Sequence, residues 1–163
     1  MPDLLSHFEV YINAQKGVGF NAFVFSTGII IAAVLLHFYG NSQLAVGLRN
    51  GTFIIGITLI AMGVGLRISQ ENILKERKLL YQEDQAAFAK AETERMTKVK
   101  NNYSRGQIIM TGLVVIALLA FLLVRNQVWQ GVSLSLSVFF LGNVIIEAFS
   151  YLAILAYYNQ LTN

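Results

Sequence analysis

One carboxylate stands inside an otherwise uncharged apolar run: Glu147, between Val132 and Leu155. A carboxylate at bilayer depth is costly, so it is expected to face the interior of a helix bundle. Asn143 precedes it by one helical turn. At 100° per residue Leu136, Phe140, Asn143, Tyr151 and Ile154 all lie within about 40° of Glu147. Thr27 and Thr111 sit a few residues in from the inner ends of two other apolar runs, and Arg67 closes a third. Glu147, Asn143, Thr27, Thr111 and Arg67 are therefore expected to share one polar layer. Such a layer can be a proton or cation site. It can equally be a packing network, with Glu147 neutral or paired with Arg67 and bonded to hydroxyls.

The remaining chemistry-bearing residues are few. Cysteine is absent, and the two histidines, His7 and His37, set no metal-ligand spacing. No metal and no cofactor are expected. His37, near the outer end of an apolar run, reads as an interfacial residue. Ser133, Ser135 and Ser137 alternate, so they cannot share one helix side and do not make a hydrophilic channel stripe. There is no Gly-rich phosphate loop, no pair of catalytic acids and no histidine-based triad. Glu94-Arg95, then Lys98 and Asn102, resembles the E-R-x-x-R-x-x-x-N pattern of the four-span glutathione-handling membrane enzymes of eicosanoid metabolism. The resemblance covers nine residues. That family carries the pattern on its second span, whereas here it precedes the third, and no enzymatic activity is expected from it.

The elements that must position these residues follow from composition. The chain is 163 residues long, 55% hydrophobic and 13% charged, against roughly 25% charged in a soluble domain. The deficit is regional. Phe20–Tyr39, Thr52–Leu66 (extended by Leu44–Leu48), Ile108–Val124 and Val132–Leu155 are apolar runs suited to spanning a ~30 Å hydrocarbon core. Small residues on one face of the second, Thr52, Gly56 and Gly63, predict a close packing seam. Gly40-Asn41-Ser42-Gln43 and Arg125-Asn126-Gln127 read as turns. Residues 1–16 carry Leu4, Leu5, Phe8, Tyr11 and Ile12 at helical spacing, with Asp3 as a cap. They predict a short amphipathic helix lying at the membrane surface. Thr27-Gly28 recurs 84 residues later as Thr111-Gly112, as do Gln43 and Gly47 in Gln127 and Gly131. This echo suggests two parallel repeats.

Between the second and third runs lies Arg67–Arg105, without Gly or Pro and holding nine of the twelve basic residues. Lys16 adds a tenth on the same side, while the opposite loops hold only Arg49 and Arg125. This asymmetry predicts cytoplasmic termini and a cytoplasmic charged segment. The segment must return to the membrane, so it is expected to fold back near Gln82-Glu83-Asp84-Gln85, with Asp84 capping the second arm. Leu66, Ile73, Leu80 and Ala87 recur at sevens, and Phe88, Glu92, Met96, Val99 and Tyr103 follow one face. These stripes suit an antiparallel hairpin or a coiled coil with a neighbour. Ile73, Leu80, Phe88, Met96 and Val99 are the expected partner or assembly surface. Lys98, Lys100 and Arg105 are expected to meet anionic lipid headgroups. Interleaved acids and bases argue against nucleic acid as a partner.

The expected architecture is an all-α integral membrane protein of the plasma (inner) membrane. Its divisions are an interfacial helix at 1–16, transmembrane hairpins at 17–66 and 106–163, and a cytoplasmic helical hairpin at 67–105. Two functions fit the sequence. One is an accessory or scaffolding protein that binds a partner or its own copies through the charged hairpin. The other is an oligomeric ion channel or proton-coupled transporter using Glu147.

Overall fold

The computed structural model describes residues 4–162. Four helices account for nearly all of them: α1 (Leu4–Tyr39), α2 (Gln43–Glu83), α3 (Gln85–Leu123) and α4 (Gln127–Thr162). They have 36 to 41 residues each, about 54–62 Å at 1.5 Å per residue. All four are long and apolar enough to cross a membrane. A hydrocarbon core of ~30 Å accounts for only about half of each helix. The other halves, carrying the charge, extend together beyond the apolar part.

The turns are built by side-chain caps. Ser42 Oγ accepts from Ala45 N at 3.1 Å and starts α2. Asn126 Oδ1 accepts from Val128 N (3.0 Å) and Trp129 N (3.2 Å) at the start of α4. Asp84 both ends α2, donating its N–H to Leu80 O, and begins α3. Its carboxylate accepts from Ala86 N (2.8 Å) and Ala87 N (3.0 Å). A single extended residue thus reverses the chain without Gly or Pro, because the capping carboxylate satisfies the exposed N–H groups of the next helix.

The break expected at residue 16 is absent, since α1 runs unbroken from Leu4 to Tyr39. The reason is a single stripe. Phe8, Ile12, Gln15, Gly19, Ser26, Ile29 and Ala33 are buried and fall on alternating three- and four-residue steps, with Ala22 completing the series. That spacing keeps one face against neighbouring helices throughout. α2 runs antiparallel beside α1 along its full length, while Phe8, Ile12 and Gln15 at the start of the stripe meet α3 and α4. Arg49 Nη1 donates to His37 Nδ1 (3.2 Å) at one end, and Lys78 Nζ pairs with Glu9 (2.6 Å) at the other. Between them Gly63 lies against Gly19, and Gly56 against Ile30 and Ser26. Asp3, the expected cap, lies outside the described residues.

On its other side α2 packs against α4, and α3 covers α4, giving the order α1–α2–α4–α3 with a further α1–α4 contact. The α2–α4 crossing is backbone on backbone. A Cβ built on Gly131 would stand 2.2 Å from Leu44 O, and one on Gly47 would stand 1.8 Å from Val128 O. Gly51 meets Ser135. Gly47 and Gly131, like Gly51 and Ser135, are 84 residues apart. The repeat offset therefore appears in space as two parallel helices meeting at matching positions.

Two apolar clusters result. One, in the apolar half, is built on Ile29, Ile55 and Leu59 with Phe25 and Phe139. The larger one fills the polar half, where Phe8, Tyr11 and Ile12 of α1 meet Phe88 and Met96 of α3 and Ile154 and Tyr157 of α4.

Candidate functional site

The first site is a cavity of about 290 Å³ where the apolar halves give way to the polar ones. Its polar lining is Glu147, Asn143 and Ser150 of α4, Gln15 of α1 and Tyr103 of α3. The remaining walls, among them Leu59, Met62 and Ile146, are apolar. Positions 143, 147 and 150 fall on one face of α4 because helical neighbours recur every three and four residues. Asn143 Nδ2 donates to Phe139 O at 2.8 Å. Ser150 Oγ donates to Gln15 Oε1 at 3.0 Å, joining α4 to α1. The Gln15 side chain is only 6% exposed, and its Nε2 has no hydrogen-bond partner. Tyr103 stacks on Tyr151 with ring centroids 4.4 Å apart, and Gln107 Nε2 donates to its hydroxyl at 2.6 Å.

The 84-residue offset relates the lining of this cavity to the α1–α2 crossing. Gly19 and Gly63, which touch where α1 crosses α2, correspond to Tyr103 and Glu147. One crossing is closed by two glycines. The equivalent positions carry a phenol and a carboxylate, and both line the cavity.

Only part of the expected polar layer assembles. Glu147 and Asn143 share the cavity, but Thr27, Thr111 and Arg67 do not line it. Thr27 and Thr111 are exposed on the bundle surface. Thr27 returns its hydroxyl to Phe23 O of its own helix at 3.0 Å. Arg67 lines a separate groove with Gly19, Phe23 and Gly63, and none of the ion pairs among the described residues joins it to Glu147. Gln15, Ser150 and Tyr103 take the places assigned to these three. Gln15 had a signal in sequence, since it continues the Phe8–Ile12 stripe. Ser133, Ser135 and Ser137 are all buried, because α4 is covered on two sides. Ser135 and Ser137 each bond a carbonyl of their own helix.

A second polar cluster lies inside the larger apolar core. Glu92 is completely buried. Arg95 Nε donates to its Oε2 at 2.9 Å and Arg95 Nη2 to its Oε1. Arg77 Nε of α2 stands 3.8 Å from Oε2. The Arg95 guanidinium also lies over the Tyr11 ring, 5.4 Å from its centroid. Burial alone would lower the Arg95 pKa, but hydrogen bonds and charge attraction from Glu92 outweigh it and hold the group above its ordinary value. Burial pushes the Tyr157 phenol up, and the nearby Glu92 carboxylate adds to this. Two cations on one buried carboxylate are a structural clamp: Glu92 is compensated in place, while both arginine side chains keep some contact with solvent.

The expected partner surface is consumed within the chain. Phe88 and Met96 are fully buried in this core, and Ile73, Leu80 and Val99 pack against it. Their stripe meets α1 and α4 of the same chain instead of a second molecule, because α1 extends far enough to cover it. Lys98 and Arg105 are exposed. Lys100 is instead engaged over the Tyr158 ring, 4.2 Å from its centroid.

Of the enzyme-like pattern, Arg95 turns inward to Glu92 while Glu94, Lys98 and Asn102 are exposed, so the four residues form no common site. The described residues hold no cluster of three or more His, Cys, Asp or Glu suited to a metal ion. The chain matches no family model, no characterised protein and no solved structure. Its class rests on the fold itself: a four-helix bundle with four candidate membrane spans.

Proposed function

We propose that this chain is a multi-pass plasma (inner) membrane protein that binds and moves a small cation through the cavity around Glu147. The basic residues of Arg67–Arg105 favour an orientation with both termini and the polar half of the bundle in the cytoplasm. The cavity then lies at the cytoplasmic end of the membrane-embedded part.

The observation that carries this reading is the convergence of Glu147, Asn143, Ser150 and Gln15 on one hollow at that depth. An intramembrane carboxylate needs a compensating partner. No ion pair among the described residues supplies one for Glu147, and a bound cation or proton can. All four helices of a single chain contribute to the walls, which favours a carrier over a pore shared between copies. An accessory role would have to use the charged outer face of the polar half, since Ile73, Leu80, Phe88, Met96 and Val99 are occupied internally.

The test is flux into proteoliposomes under an imposed gradient, followed with a pH-sensitive dye, with potassium- and sodium-sensitive dyes and with a radiolabelled alkylammonium. Wild-type protein conducts or exchanges at a rate above empty liposomes, and Glu147→Gln reduces this to the background. Equal flux in the two proteins, or none in either, contradicts the proposal.

A further inference from the structure

We infer that the ligand of the Glu147 cavity is a small organic ammonium ion carrying an apolar body and a hydrogen-bond acceptor; this rests on the reading of Glu147 as a cation site. Three features of the cavity select this chemistry.

The first is size. About 290 Å³ is many times the space a bare ion needs and stands at the lower end of small-molecule pockets, which begin near 300 Å³. The second is the donor set. A hard metal cation asks for about six oxygens at 2.0–2.6 Å. Here one carboxylate, the Asn143 carbonyl and the Tyr103 phenol stand among Leu59, Met62 and Ile146. Such walls favour alkyl or aryl surface over a hydrated ion. An ammonium N–H can instead be met by the carboxylate alone, as a charge-assisted hydrogen bond.

The third is Gln15. Its Oε1 is held by Ser150, which leaves Nε2 as a buried donor without an acceptor. A buried unpaired donor is unfavourable, and a ligand oxygen that the Gln15 amide meets by turning about its bond to Ser150 relieves it. Ser150, which holds the Gln15 amide, lies one turn beyond Glu147 on α4, so the Cβ atoms of the two α4 residues stand roughly 5–6 Å apart on one face. The ligand therefore offers its acceptor a few bonds from its ammonium. An ether, carbonyl or hydroxyl two or three atoms away meets that spacing.

Isothermal titration of the whole protein in lipid nanodiscs tests this with three probes: 2-phenoxyethylammonium, its neutral counterpart 2-phenoxyethanol, and potassium chloride. The ammonium is expected to bind about tenfold or more tightly than the neutral isostere, the effect of one charge-assisted hydrogen bond. Glu147→Gln should erase that preference. Gln15→Leu should weaken the ammonium by up to about tenfold, the worth of one hydrogen bond. Equal binding of ammonium and isostere to the wild-type protein overturns the inference, whatever the variants do. Glu147-dependent proton or potassium flux with no ammonium binding overturns the ligand assignment alone. Absence of both flux and binding overturns the cation-site reading with it.

Discussion

Replacing single glycines by alanine separates helix crossings from open helix faces, and the expected sign changes from site to site. At Gly28 and Gly112 a new Cβ meets nothing within 4 Å. There the substitution gains only helix propensity, about 1 kcal/mol. At Gly131 the same methyl would stand 2.2 Å from Leu44 O and 2.4 Å from Leu48 N, both backbone atoms that no rotamer change can move. Ordinary contact between non-bonded heavy atoms is about 3.5–4.0 Å, so α2 and α4 must part by roughly 1–2 Å. Overpacking of this kind costs about 1–3 kcal/mol, and it outweighs the propensity gain. Gly131→Ala and Gly47→Ala should therefore destabilise, whereas Gly28→Ala and Gly112→Ala should stabilise. Gly19→Ala and Gly63→Ala, with approaches of 2.9 and 2.8 Å, should fall between the two groups. The assay is unfolding in mixed micelles with rising SDS, followed by far-ultraviolet circular dichroism. If Gly131→Ala stabilises as much as Gly112→Ala, the close α2–α4 crossing is wrong, and so is the repeat symmetry drawn from it.

Three further outcomes are expected. Glu92→Leu leaves Arg95 and Arg77 without their counter-charge in an apolar core and should cost about 3–5 kcal/mol in the same assay; a loss below about 1 kcal/mol contradicts the buried clamp. Tyr157 titrates above the ordinary phenol range because burial and Glu92 disfavour its anion, so Tyr157→Phe should remove a phenolate signal at 295 nm from the most alkaline part of the titration; loss of a signal near pH 10 contradicts it. Lys16 hydrogen-bonds Glu71 and lowers its pKa. This α1–α2 tie is therefore complete above the ordinary carboxylate range and is lost as pH falls through the lowered value. A Lys16→Met variant should show less acid-dependent opening of α1 by hydrogen exchange than the wild type, and an unchanged acid response contradicts the pairing.

Much of the fold was legible because the forces that set it are local. The four apolar runs, the Ser42 and Asn126 turns and the reversal at Asp84 each follow from a few adjacent residues. In Gln82–Gln85 only Asp84 has the short acceptor side chain that caps a helix well, and its carboxylate takes the N–H groups of Ala86 and Ala87. The continuity of α1 was harder to read. Gly19 sits inside the helix, where α2 passes over it at Gly63.

The site was half legible for a related reason. Periodicity placed Glu147 and Asn143 on one face of α4. Depth alone then selected Thr27 and Thr111, and depth does not say which way a side chain points. A threonine hydroxyl can return to its own helix, as Thr27 does to Phe23 O, and so needs no partner across the bundle. Gln15 cannot satisfy its whole amide in that way, and its tie to Ser150 depends on an α1–α4 contact made 135 residues apart. The apolar stripe on the charged segment was expected to meet a partner or a neighbouring copy. In the structure α1 and the end of α4 pack against it.

The central claim is that Glu147 lies in a cavity open to small solutes and holds a cation there. Labelling with a hydrophobic carbodiimide, read by mass spectrometry of the intact protein and its peptides, tests it most directly. The account predicts one dominant adduct among the membrane-embedded peptides, at Glu147, formed more slowly as 2-phenoxyethylammonium is added and unaffected by 2-phenoxyethanol. A Glu147 that stays unmodified, or that reacts at the same rate with and without the ammonium, contradicts it.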